Sequence, residues 1–210
     1  MKFQIKNIIV WPKDNNFAPR ILNFELGRVN IITGDSRTGK SAIIHIIDYC
    51  LGSKDCFIPI EIIRDYASWY GLLIVTNNEE ILIARSAPDK GKASTAIYFC
   101  RGQKIEIPKQ IAKPNQTVDG LKILLNDIAQ IPYLNRDSDE NGYDNTISFR
   151  DVSHLCFQSQ DIVANQAVLF YKTHLTEHRE KIKTWFPYIL GAETKEVIEA
   201  REKRNLYKTN

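Results

Sequence analysis

GDSRTGKSAIIHIIDYCLG, residues 34–52, sets two glycines five positions apart, follows the second with Lys-Ser, and runs on into an apolar stretch. Gly34-Asp35-Ser36-Arg37-Thr38-Gly39-Lys40-Ser41 fills every fixed position of G-x-x-x-x-G-K-[ST], the phosphate loop. Each fixed residue has a physical task. Gly34 and Gly39 admit backbone conformations closed to residues with a Cβ, so that successive N–H groups can turn toward phosphate oxygens. Lys40 supplies a point charge for the β- and γ-phosphates and the Ser41 hydroxyl a ligand for Mg²⁺. The helix expected from Ala42 aims about half a positive charge at the anion. The expected nucleotide-binding set is Gly34, Asp35, Ser36, Arg37, Thr38, Gly39, Lys40, Ser41 and Ala42. A glycine-bounded turn that happens to hold Lys-Ser is the plainer alternative, and the flanking sequence weighs against it.

Before the loop, Val29-Asn30-Ile31-Ile32 is a β-branched run that predicts a buried strand ending at Gly34. After it, Ile43, Ile46, Ile47 and Cys50 fall at i, i+3, i+4 and i+7, one face of a helix that Gly52 is placed to stop. Working outward, Phe3 to Val10 predicts a first strand broken at Trp11-Pro12, and Ile21 to Leu26 a second. Trp69 to Val75 and Glu80 to Arg85 read as a hairpin across Thr76-Asn77-Asn78-Glu79. Ala96 to Phe99 and Lys104 to Ile107 read as another across Arg101-Gly102-Gln103. Thr117 can cap a helix striped by Leu121, Leu124, Leu125 and Ile128. Residues 135–145 form a polar loop whose acids lack the spacing of a calcium loop. From Leu175 the chain reads as helix, with breaks expected at Pro187 and near Gly191, and its last turns are too polar for a core. The expected class is α/β, a mixed sheet with antiparallel strands around the loop helix and a projecting helix behind them.

The 210 residues suffice for one main domain and an appendage. Hydrophobic content of 43% and charged content of 25% are ordinary for a folded protein. No stretch approaches about eighteen apolar residues, and MKFQIKNIIVWPK lacks the core of a secretory signal, so a cytoplasmic protein with no membrane partner is expected. Cys50, Cys56, Cys100 and Cys156 have no CxxC spacing and are expected as reduced, packed thiols. The net charge of +3 neither requires nor excludes nucleic acid. His174 and His178 share a helix face but no HExxH frame.

No Asn-Lys-x-Asp motif is present to read guanine, and the hairpins fit poorly with the parallel βα units of a small nucleotide kinase. The order of strand, strand, Val-Asn-Ile-Ile-Thr-Gly and loop resembles the N-terminal lobe of an ABC-type ATPase head of the SMC, Rad50 and RecN kind. GDSRTGKSAIIHIIDYCLGS, IPIEIIRDYASWYGLLI and FQSQDIVANQAVLFYK resemble more narrowly the bacterial SMC-like ATPases with the domain of unknown function 3732. That family is similar to the SMC-like subunit of Lamassu-type and related three-component antiphage systems. The resemblance implies a P-loop head lobe over residues 1–170 and the start of a coiled coil over 171–210. It implies ATP and Mg²⁺ as cofactors, Lys40 and Gln158 in catalysis, and Ser41 and Gln158 at the metal. Gln158, in Phe157-Gln158-Ser159, would be the glutamine-loop contact to Mg²⁺ and water, with Gln160 next in line. It further implies pairing with the C-terminal half of the head and with a second head, and contact with DNA and an effector nuclease.

Three side chains keep two readings each. Arg85 resembles the basic residue after the head's antiparallel strands, or is a solvated strand end. Trp11 lies where an aromatic could stack on adenine, or packs in the core. His45 would face off the apolar stripe. Two motifs that hydrolysis needs are missing. Ile123-Leu124-Leu125-Asn126-Asp127 and Ile62-Ile63-Arg64-Asp65 each break the pattern of a Walker-B strand, and no serine-glycine-glycine signature occurs. Slow or absent turnover by residues 1–210 alone follows. Besides the head lobe, a self-contained phosphotransferase and a non-hydrolysing ATP-dependent interaction module stand as alternatives.

Overall fold

The computed structural model describes residues 3–36, 38–77, 79–89, 92–131, 148–156 and 186–194, together with residues 182, 196, 197, 200 and 204. The chain divides into two compact units, 1–123 and 124–210.

The first unit is built on a mixed α/β plan around a six-stranded sheet. Its strands are β1 (Gln4–Pro12), β2 (Arg20–Asn23), β3 (Ala67–Val75), β4 (Glu80–Ser86), β5 (Ala96–Gly102) and β6 (Gln116–Thr117). They lie in the order β2-β1-β3-β4-β5-β6, and every neighbouring pair is antiparallel, so the described sheet is not the mixed one expected. β3 and β4 are almost wholly buried, which is why they read as near-continuous apolar runs rather than as alternation. Their hairpin closes where the Thr76 amide donates to the Glu79 carbonyl at 2.9 Å. In β1 the register slips between Ile5 and Asn7, leaving Lys6 as a bulge residue.

One face of the sheet buries Ile9, Trp11, Trp69, Leu73, Leu82 and Ala84. Opposite Trp11 the backbone must come close. A Cβ on Gly71 would stand 2.6 Å from the Trp11 ring, so only glycine leaves room for the indole. The other face presents Tyr70 and Arg85 to α1 (Ala42–Cys50), whose Ala42, Ile46, Ile47, Tyr49 and Cys50 are buried. Leu51 is the C-cap and Gly52 follows at φ +88°, the left-handed stop that the sequence leads one to expect. A π-helical turn, Ile60–Arg64, precedes β3. α2 (Val118–Ile128) starts after Thr117, whose hydroxyl accepts from the Gly120 amide at 3.2 Å.

Two expected strands are absent. Val29 to Ile32 has no regular structure, with Val29 89% and Ile31 81% exposed. Propensity marks this run as ready to pair, but no described strand lies beside it. The Asn30 side chain instead closes a turn onto the Glu25 amide and carbonyl. Lys104 to Ile107 is also no strand, and β5 pairs with β6 instead. Its alternation is genuine, since Ile105 and Ile107 pack with Ile111 against the Trp11 face while Lys104 and Glu106 stay exposed. Burial against the sheet, rather than edge pairing, produces that pattern.

In the second unit α3 (Phe149–Cys156) begins where Ser148 and Asp151 cap each other, and the Phe149 amide donates to Asn126 Oδ1 at 2.8 Å. Residues 186–189 are helical and include Pro187; the residues just before them, where the break is expected, lie outside the described residues, and the stop comes at Gly191, φ +71°. Of the coiled coil expected over 171–210, most lies outside the described residues. No described helix is long and apolar enough to cross a membrane.

Candidate functional site

Residues 34–41 lead into α1 on the surface of the first unit. Gly34 has φ +149° and Gly39 φ +86°, so both glycines of the motif occupy the region that disfavours a Cβ. Lys40 folds back over the loop. Its Nζ donates to the Gly34 carbonyl at 2.6 Å, to the Asp35 carbonyl at 2.5 Å and to Thr38 Oγ1 at 3.1 Å. Thr38 Oγ1 in turn donates to the Asp35 carbonyl at 2.8 Å. The ammonium has three protons and three acceptors. To touch a phosphate oxygen it exchanges one of these, and the Thr38 hydroxyl is the most distant.

The helix start is laid open in the same way. Ala42 N bonds to Gly39 O and Ile43 N to Lys40 O, the first links of the helical ladder. Ser41, the N-cap, is exposed and makes no side-chain cap bond, and the first turn has no acidic residue. Among the described residues, then, no side-chain cap and no first-turn acid occupies the positive end of the helix dipole, which suits an anion. Ser41 at this end and Ser36 in the loop are both exposed. A polyphosphate with a hard divalent cation fits these groups: amides and an ammonium for the anion, and a hydroxyl oxygen for Mg²⁺.

The remaining expected residues divide. Arg37, Gln158 and Gln160 lie outside the described residues. Trp11 is 1% exposed, and its indole donates to the Pro108 carbonyl at 2.8 Å, so the core reading holds for it and adenine stacking does not. His45 is half-buried beside Phe57, ring centroids 6.2 Å apart, rather than fully solvated. All four cysteines are free, and Cys50 is buried as expected, but Cys156 is exposed. The two Walker-B candidates sit in α2 and the π-helical turn, and neither is a strand.

Sequence reasoning undervalued Arg85. It is 2% exposed, its guanidinium lies 4.1 Å from the centroid of the Tyr49 ring, and it donates to the carbonyls of Tyr49, Ser53 and Ser94, each at 2.8 Å. Tyr49, fully buried, donates to the Ser86 carbonyl at 2.9 Å and accepts from the Ser94 amide at 3.0 Å. Burial pushes the Tyr49 hydroxyl up to about 12, against the opposing pull of Arg85. An arginine ending an apolar strand, with an aromatic on the preceding helix, is the only signal the sequence offers for this pair.

A scan of protein-family models and a search of curated proteins both return no match for this chain.

Proposed function

We propose that residues 34–41 hold the phosphate chain of ATP together with Mg²⁺, and that the chain is the N-terminal, nucleotide-binding lobe of an SMC-like ATPase head. The observation that carries this is the loop itself: Gly34 and Gly39 at positive φ, Lys40 drawn over the loop carbonyls, and an uncapped helix end behind them. In this reading the loop amides and Lys40 grip the phosphates. The Ser41 hydroxyl contributes to holding Mg²⁺, and Gln158 is the matching contact to the metal and water. Bound Mg²⁺·ATP supplies the phosphoanhydride bond whose cleavage would separate paired heads. What the residues of this chain do is bind, orient and neutralise charge.

Two features favour a head lobe over a self-contained phosphotransferase. The sheet is antiparallel at every described pairing, unlike the parallel βα units of small kinases. And Val29 and Ile31, just ahead of the loop, expose β-branched side chains that a further strand would bury. The expected setting is ATP-driven pairing with the C-terminal half of the head and with a second head, in DNA sensing, repair or antiphage defence with an effector nuclease. From Tyr171 to Asn210, nine Lys/Arg against six Glu are compatible with DNA contact.

Titration of the 210-residue chain with Mg²⁺ and a labelled adenine nucleotide tests the site. Saturable binding that Lys40→Ala removes, with the melting curve retained, is the expected result; no saturable signal overturns it. Rapid ATP turnover by the same chain, lost in Lys40→Ala, would instead favour the phosphotransferase. Stable nucleotide-dependent pairing without any turnover, even beside the completing half, would favour the interaction module.

A further inference from the structure

The first unit anchors α1 unequally at its two ends. At the C-terminal end, Arg85 reaches from β4 to the carbonyls of Tyr49 and Ser53 and ties them to Ser94, while the Tyr49 hydroxyl bonds both Ser86 and Ser94. At the N-terminal end, the Lys40 ammonium is spent on the loop's own acceptors, and Ser41 makes no cap bond. Between them α1 packs on β3 and β4 and buries Ala42, Ile46 and Ile47, apolar surface without the set directions of a hydrogen bond. A planar guanidinium fixes rotation and slide, because its donors leave in set directions. Its charge also matches the negative end of the helix dipole, leaving the positive end for the loop.

We infer that Arg85 is a positioning residue for nucleotide binding: by clasping the last turn of α1 to β4, it sets the rotation and height at which the other end presents residues 34–41 to the phosphates. The inference rests on the nucleotide-binding reading above. α1 has nine residues and is about 13 Å long, so a small pivot at Tyr49 displaces the loop by an ångström or more. Arg85 touches no phosphate; it acts through the helix.

The test compares wild type, Lys40→Ala, Arg85→Lys, Arg85→Met and Tyr49→Phe in the 210-residue chain, at a temperature where circular dichroism shows each to be folded. Loss of stability alone leaves nucleotide affinity unchanged while the folded fraction stays near one. Arg85→Lys and Arg85→Met are expected to weaken Mg²⁺·ATP binding about tenfold, the scale of one misplaced charged hydrogen bond. They should also move the ³¹P resonance of the β-phosphate at saturation. Tyr49→Phe, which leaves the carbonyls held by Arg85 in place, should melt lower but keep both readouts. If Arg85→Met does not fold, Arg85→Lys carries the comparison. Wild-type affinity and ³¹P shift in folded Arg85→Lys overturn the positioning role, as does an equal loss in Tyr49→Phe. Absence of binding in wild type overturns the nucleotide site itself, and the positioning role with it.

Discussion

Lys40 Nζ lies 2.6 Å from the carbonyl oxygen of Gly34, closing the loop on itself across the span of the motif. The Gly34 carbonyl faces this ammonium, and the residue itself has φ +149°. Among the described residues this charge has no carboxylate partner; its acceptors are two carbonyls and a hydroxyl.

The two loop glycines should respond differently to a methyl group. At Gly39 the added Cβ meets nothing within 4 Å, so Gly39→Ala suffers only the strain of φ +86°, about 1 kcal/mol. At Gly34, φ +149° lies much farther from the left-handed well near +57° and the strain is larger, while the added Cβ would make only ordinary contacts, 3.4 Å to Thr38 Oγ1 and 4.0 Å to Lys40 Nζ. Gly34→Ala is therefore expected to lose more nucleotide affinity than Gly39→Ala. Calorimetric titration beside thermal melts distinguishes the two, and equal losses would contradict it.

Gly71→Ala should be among the most damaging single changes in the sheet. The new Cβ would fall 2.6 and 2.8 Å from two ring atoms of Trp11 and 3.1 Å from the Ile83 carbonyl, on the central strands of the fold. Overpacking of this kind costs roughly 1–3 kcal/mol. Displacing the indole also puts its bond to Pro108 at risk. A chemical denaturation curve that matches wild type would show that the Trp11 face yields more easily than its packing implies.

On the acid side, Glu80 is the group to watch. Burial opposes its ionisation, but the Lys6 hydrogen bond at 2.6 Å, the Ile105 amide and the charges of Lys6 and Lys104 together outweigh it and hold the carboxyl below its usual range. A depressed carboxyl contributes stability above its unfolded value, near 4.5, and loses it as pH falls through the lower folded value. Glu80→Gln should lower stability by about 1 kcal/mol at pH 7 and flatten the acid limb. Denaturation midpoints from pH 2 to 7 in both proteins test this; parallel curves would refute it.

The alkaline side belongs to buried hydroxyls. The folded value of Tyr49, about 12, exceeds its unfolded value of 10.0, so its contribution is complete below pH 10 and is lost as pH rises toward 12. Tyr70, also raised by burial, has a hydroxyl with no hydrogen-bond partner among the described residues. The two tyrosines should therefore part company. Tyr49→Phe breaks bonds to Ser86 and Ser94 and is expected to destabilise, whereas Tyr70→Phe removes an unsatisfied buried group and should be neutral or raise the melting temperature. A lower melting temperature in Tyr70→Phe would reveal a partner for that hydroxyl.

The linear sequence determined what short-range chemistry determines. Two glycines and a lysine at fixed spacing foretell a loop with both glycines at positive φ and Lys40 folded over it, and the Ile43, Ile46, Ile47 and Cys50 stripe foretells the helix behind it. Apolar runs give β3 and β4 because a strand buried on both faces needs nothing else, and Thr117 and Gly52 mark a helix start and stop through their own backbone preferences. Only the tertiary structure decided which groups find partners. Val29 to Ile32 and Lys104 to Ile107 have the same local credentials as the true strands. Yet one run stands exposed and the other folds beneath the sheet, because a strand is made by a neighbour's free edge and no local pattern encodes that neighbour. Arg85 likewise looks like any charged strand end until Tyr49, Ser53 and Ser94, distant in sequence, close around it and make its burial tolerable.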